Sequence, residues 1–146
     1  MERVYEKYAW IIFVALGLLW LVVGVIAVFQ PEGIFESDAQ SVTDTPWSEL
    51  KASSPQAADF TIFVYGQMGL LKISWSFFVF VITLKGYRSA EKWAWYAMWS
   101  VPALLVSDAL FSAVYIDDVS QTLQFIPITT ITLLGLLLPY RRFFPR

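Results

Sequence analysis

The chain has 146 residues, a net charge of −2, 58 % hydrophobic residues, 18 % aromatics and only 15 % charged residues. Soluble domains usually carry about 45–50 % apolar and about 25 % charged residues, so this chain is built for a solvent that includes lipid. It has no cysteine and no histidine, which excludes disulfides, thiol nucleophiles, quinone-linked disulfide chemistry and histidine-ligated haem, zinc or copper. The absence of asparagine removes any N-linked glycosylation acceptor.

The apolar residues fall in four blocks, each long enough for a hydrocarbon core of about 30 Å at about 1.5 Å per residue. The first predicts a helix over about 8–29. Its apolar stretch exceeds the usual signal-peptide core of about 7–15 residues, and no Ala-x-Ala site follows, so a retained anchor is expected. Residues 30–54 form an acidic outer loop. Within it "TPWSELKA" predicts a short amphipathic helix, capped by Thr45 with Pro46 in the first turn and Trp47 and Leu50 three apart. Glu36, Asp38 and Asp44 in this loop match no calcium-loop spacing, and no metal or other cofactor is expected.

The second helix is expected over 55–85, with Ser54 as N-cap, Pro55 at its first position and Gly86 as C-terminal cap. Its run "GQMGLLKISWSFF" holds Lys72 about 18 Å from the cytoplasmic end. Gly66, Gly69, Ile73 and Ser76 make a stripe of mostly small residues, matched by Gly17 and Gly24 on the first helix. Such stripes allow helices to approach closely. The third helix, over 90–115, is expected to start at a Ser89 cap with Glu91 in its first turn. Trp93, Trp95, Tyr96 and Trp99 then read as an interfacial aromatic belt. The fourth, over 121–138, ends at Pro139, and Pro102 and Pro127 predict kinks.

Arg3, Lys7, Lys85, Arg88, Lys92, Arg141, Arg142 and Arg146 all fall on one side of this scheme, with Lys51 alone on the other. The positive-inside rule therefore puts both termini in the cytoplasm. The fold class is all-α: a transmembrane up-down-up-down four-helix bundle forming one four-pass domain over 1–146, in the cytoplasmic (inner) membrane of a prokaryote. Arg88, Lys92, Arg141 and Arg142 are candidates for contact with anionic lipid headgroups. The basic residues are too few and too close to the membrane for nucleic acid.

Charge inside a span is costly, about 2.5–3.5 kcal/mol on insertion scales. Lys72 therefore calls for a partner, and Asp108 is the only acid deep in a block. Side chains lean toward their helix N-terminus, so on antiparallel helices these two lean toward each other. Gln67 and Gln124 fall at nearby depths, with Ser112 and Tyr115 following Asp108 along its own face. This polar layer is either a structural pair that fixes helix register or a proton-titrating or ligand-binding site open to the outside. No phosphate loop, nucleophile elbow or metalloprotease signature is present.

The stretch "GQMGLLKISWSFFVFVITLKGYRSAEKWAWYAMWSVP" resembles small prokaryotic four-helix membrane proteins that are broadly DoxX-like. In these a glycine-containing second helix, a short basic turn and an aromatic-rich third-helix start follow one another. The resemblance covers helices two and three; it implies the four-helix membrane fold and no specific activity. The expected role is non-enzymatic: an accessory membrane subunit, or a binding protein for a small hydrophobic or amphipathic ligand, associated with itself as a homodimer or with a larger complex. One alternative is a dimeric proton-coupled transporter of small hydrophobic solutes, with Asp108 titrating and Lys72 as its counter-charge. The other is a lipid-modifying enzyme using Asp108 as acid or base.

Overall fold

The computed structural model describes residues 4–33, 36, 45–115 and 119–145. Asp38, Asp44, Asp117 and Asp118, expected outside the spans, lie outside the described residues, as do Arg3 and Arg146. The chain is all-helical, 88 % helix, with no strand among the described residues. In order come α1 (Val4–Tyr8), α2 (Trp10–Phe29), α3 (Trp47–Ser53), α4 (Pro55–Val81), a π-helical segment (Ile82–Tyr87), α5 (Lys92–Met98), α6 (Ser100–Tyr115), α7 (Val119–Leu137) and α8 (Tyr140–Phe143).

Among the described residues, three helical stretches are long and apolar enough to cross a membrane: Glu6–Phe29, Pro55–Tyr87 and Lys92–Val114. Their lengths of 24, 33 and 23 residues exceed the roughly 20 that a bilayer requires. Only 22 % of each apolar window is buried within the chain. Side chains such as Val22, Phe63, Leu71, Phe78 and Phe111 therefore face outward, where lipid or another protein must cover them. Hydroxyls on the helices turn inward to their own backbone. Thr61, Ser76, Ser107, Thr130 and Thr132 each donate to the carbonyl four residues earlier at 2.7–2.9 Å. A hydroxyl satisfied in this way can be carried into hydrocarbon.

The chain divides into two compact units, one of Leu19–Ser76 and one of Met1–Leu18 with Phe77–Arg146. In the first unit the latter part of α2 meets α4 at two glycines. A β-carbon on Gly24 would lie 2.9 Å from the Gly69 carbonyl oxygen, and one on Gly69 would lie 2.8 Å from the Gly24 carbonyl oxygen. Only glycine at both positions permits this approach. Gly66, expected on the same seam, has open space around it. Trp20 and Trp75 add a ring contact at 4.2 Å between centroids. The short α3 lays Trp47 and Leu50 against Ala58, Ile62 and Tyr65. Its N-cap position is Pro46, one residue after the expected Thr45. Proline needs no N–H at this boundary, and its fixed φ starts the turn.

Lys51 of α3 bonds Glu32 at 2.8 Å. That bond, first, holds Glu32 below the usual carboxylate range, and the Trp47 indole adds a smaller pull the same way. A depressed acid contributes stability above its ordinary pKa and loses it as the pH falls through the lowered value. The contact between α3 and Glu32 therefore weakens on strong acidification.

In the second unit the π-helical segment turns Thr83, Gly86 and Tyr87 all inward. Gly86 is not the helix cap that the sequence suggests. A β-carbon there would lie 2.5 Å from both the Ala94 β-carbon and the Trp93 ring, so the glycine is used for close approach to α5. The chain reverses four residues later. The Glu91 N–H bonds the Gly86 carbonyl and the Ala90 N–H bonds the Tyr87 carbonyl, both at 3.0 Å. This pair of bonds is a Schellman motif, and its left-handed position is Ala90, at φ 58°. The expected Ser89 cap of the third helix is likewise not formed: α5 starts at Lys92, with Glu91 as N-cap and no side-chain cap bond. Beyond Trp99 the helix resumes as α6, with Pro102 in its first turn, and Pro127 lies within α7.

Left-handed geometry costs a non-glycine residue about 1–2 kcal/mol. Ala90→Gly should therefore raise stability by about 1 kcal/mol, less the entropy that glycine restores to the unfolded chain. Unfolding of the purified protein in mixed micelles would measure it. A destabilised Ala90→Gly variant would contradict this description of the turn.

Candidate functional site

Two features of the second unit are built tightly enough to define a site. The first is a hydrogen-bonded knot at the end of α7. Pro139 follows this helix and has no N–H, so the Gly135 carbonyl loses the partner it would have four residues on. Leu137 ends α7, so the Leu136 carbonyl is also past the helical ladder. Both are satisfied from elsewhere. The Tyr87 hydroxyl donates to Gly135 at 2.5 Å, and the Trp95 indole N–H donates to Leu136 at 3.0 Å. Tyr87 is edge-on to Phe13 at 5.0 Å and packs on Phe143 at 4.7 Å. Trp95 meets Tyr140 and Phe144 edge-on.

Arg142 extends the same logic. Its guanidinium donates to the Glu6 carbonyl at 3.1 Å and the Arg88 carbonyl at 3.0 Å, both near helix ends where carbonyls lack backbone donors. A cation there also suits the negative end of the helix dipole. Arg88, in turn, places its guanidinium over the Trp10 ring, 5.1 Å from the centroid. The Lys92 ammonium lies 5.5 Å from the Phe144 ring centroid. Arg141 is exposed.

Sequence reasoning missed this knot. Trp95 is buried and bonded to a carbonyl, so it is not part of an interfacial belt, although Trp93, Tyr96 and Trp99 are exposed. The available signal was Pro139: a proline just past a helix orphans a carbonyl, and a donor from another element can meet it.

The second feature is a cleft of about 280 Å³ between α6 and α7. Ala109 and Ala113, one helical turn apart, face Phe125, Ile126 and Thr129 across it. Two alanines in register leave a hollow that larger side chains would fill. Asp108 precedes Ala109, on the exposed side of α6. Ser112 is half-buried on the same helix. The side chains of Tyr115 and Gln124 lie outside the described residues.

Lys72 and Gln67 belong to the first unit, on α4. Gln67 is exposed and Lys72 half-buried. The Lys72 backbone carbonyl accepts the Ser76 hydroxyl at 2.8 Å. The only acid on α4 is Asp59, about 20 Å away along the helix axis, and α2 carries none. The long helices of this unit, α2 and α4, thus offer Lys72 no carboxylate near its level. Among the described residues no cluster of side chains suited to a metal ion occurs.

Comparison with protein-family models, curated proteins and solved structures returned no match. The functional reading therefore rests on the geometry.

Replacing Trp95 by phenylalanine keeps a ring but removes the N–H. The Leu136 carbonyl then stays buried without its donor, at a cost of about 1–3 kcal/mol. Trp95→Phe should lower stability in mixed-micelle unfolding by that amount, whereas Tyr96→Phe, which keeps the ring of an exposed side chain, should change it little. Equal effects of the two would contradict the assignment.

Proposed function

We propose that this is a small multi-pass protein of a prokaryotic cytoplasmic membrane, with α7 as a fourth span, both termini on the cytoplasmic side, and a non-enzymatic role as a binding or accessory subunit. Its ligand is a small amphipathic molecule whose apolar body enters the cleft between α6 and α7. The observation that carries this reading is the cleft itself. It is lined mainly by apolar side chains with threonines at one edge, and an ionisable residue, Asp108, adjoins it in sequence. Small-molecule sites have this character: mostly apolar walls with a few polar groups to fix orientation. An acid within a span marks a functional position by default, because keeping it there is expensive.

A second reading is supported by Asp108 alone. A carboxylate that takes up and releases a proton within a span could couple solute movement to a proton gradient. The two readings part at one variant. In a transporter the native protein should show pH-dependent solute flux in liposomes that Asp108→Asn abolishes, whereas a binding protein should show no such flux.

The cleft can be closed from within. Ala113→Phe puts a ring into the hollow. Extraction of small lipophilic molecules from the purified protein should recover a ligand from the native chain. Recovery from Ala113→Phe should fall by about tenfold, equivalent to about 1.4 kcal/mol of binding, with unfolding in micelles unchanged. Equal recovery from both, or none from the native chain, would contradict the proposal.

A further inference from the structure

The cleft between α6 and α7 holds one polar group whose hydrogen bonding is unfinished. Among the described residues, the hydroxyls that line it are those of Thr129 and Thr130. Thr130 donates to the Ile126 carbonyl at 2.8 Å, and Thr132, further along α7, donates to Ile128 in the same way. A threonine in a helix divides between two side-chain rotamers, one of which makes this bond to its own backbone. Thr129 does not make it, and among the described residues its hydroxyl makes no other hydrogen bond. The residue is half-buried, in a wall that it shares with Phe125 and Ile126.

None of the described residues lining the cleft is charged, and Asp108 stands outside that lining. An ionised ligand group would go unpaired in such a place, at far greater cost than a neutral one. A ligand hydroxyl would bring a donor of its own that needs an acceptor, and the Ile126 carbonyl already takes the Thr130 hydroxyl. An oxygen that only accepts, as in a ketone or an ester, uses the Thr129 donor and leaves no new donor unmet.

We infer that the guest of this cleft is a neutral lipophile with a carbonyl oxygen. That oxygen accepts a hydrogen bond from Thr129, and the apolar body lies among Ala109, Ala113, Phe125 and Ile126. The inference rests on the reading of this cleft as a ligand site and names the chemical class of the ligand. The volume of about 280 Å³ is at the lower edge of small-molecule sites, about 300–1,000 Å³. It suits a single-ring molecule or the end of a longer chain.

Two probes of one shape test this. Acetophenone carries a carbonyl oxygen where isopropylbenzene carries a methyl group. Apparent dissociation constants for the full chain in neutral detergent follow from the rise in unfolding midpoint with probe concentration. Thr129→Val keeps the side-chain shape and removes the hydroxyl. It should weaken acetophenone binding by about fivefold, the worth of one net hydrogen bond, and leave isopropylbenzene binding unchanged. Thr129→Ser keeps the hydroxyl and should keep acetophenone binding. Ala113→Phe should weaken both probes. If Thr129→Val leaves acetophenone binding unchanged, or weakens both probes equally, the inference is overturned, while an effect of Ala113→Phe on both still upholds the cleft as a ligand site. If Ala113→Phe weakens neither probe, the reading of the cleft falls and the inference falls with it.

Discussion

The second unit depends on one constraint: a backbone carbonyl that leaves the helical ladder in an apolar setting must find a donor. Pro139 creates the need by withholding its N–H from Gly135. Tyr87 and Trp95 meet it at Gly135 and Leu136, and Arg142 does the same for Glu6 and Arg88. Each of these bonds joins elements far apart in sequence. The π-helical winding of Ile82–Tyr87 and the close approach at Gly86 bring Tyr87 and α5 into place for it. Ala90 tolerates a left-handed backbone because the reversal there is held by its two Schellman bonds.

The clefts follow from this arrangement. Where α8 folds back to deliver Arg142 and Phe143, it leaves a hollow beside Ala90, Glu91, Lys92 and Trp93. Further along, where α6 and α7 need only pack on each other, alanines replace bulk and an apolar hollow opens. Polar satisfaction is concentrated at one end of this unit, and the apolar hollow lies away from it.

Much of the helical layout could be read from the chain. Blocks of twenty or so apolar residues identify membrane-capable helices whatever their neighbours are, and α4 begins at Pro55 for a local reason, the fixed φ of proline. The small residues of helices one and two also carried a true signal, since Gly24 and Gly69 do meet. Local rules failed where a distant contact outranked them. Gly86 reads as a cap, but Trp93 and Ala94 need its missing side chain. Trp95 reads as a belt residue, but Leu136 needs its N–H. Depth along a span follows from counting residues, so Lys72 and Asp108 can be set at similar depths from sequence. Azimuth depends on the packing of neighbouring helices, and no count supplies it.

A double-mutant cycle between Tyr87→Phe and Pro139→Ala, read by unfolding in mixed micelles, tests the carbonyl argument most directly. Removing the hydroxyl alone should cost about 1–3 kcal/mol. With Pro139→Ala in place an N–H becomes available to Gly135, and the same hydroxyl removal should cost clearly less. If Tyr87→Phe costs as much in the Pro139→Ala background as in the native chain, the two positions are independent and the orphaned carbonyl does not organise this end of the protein.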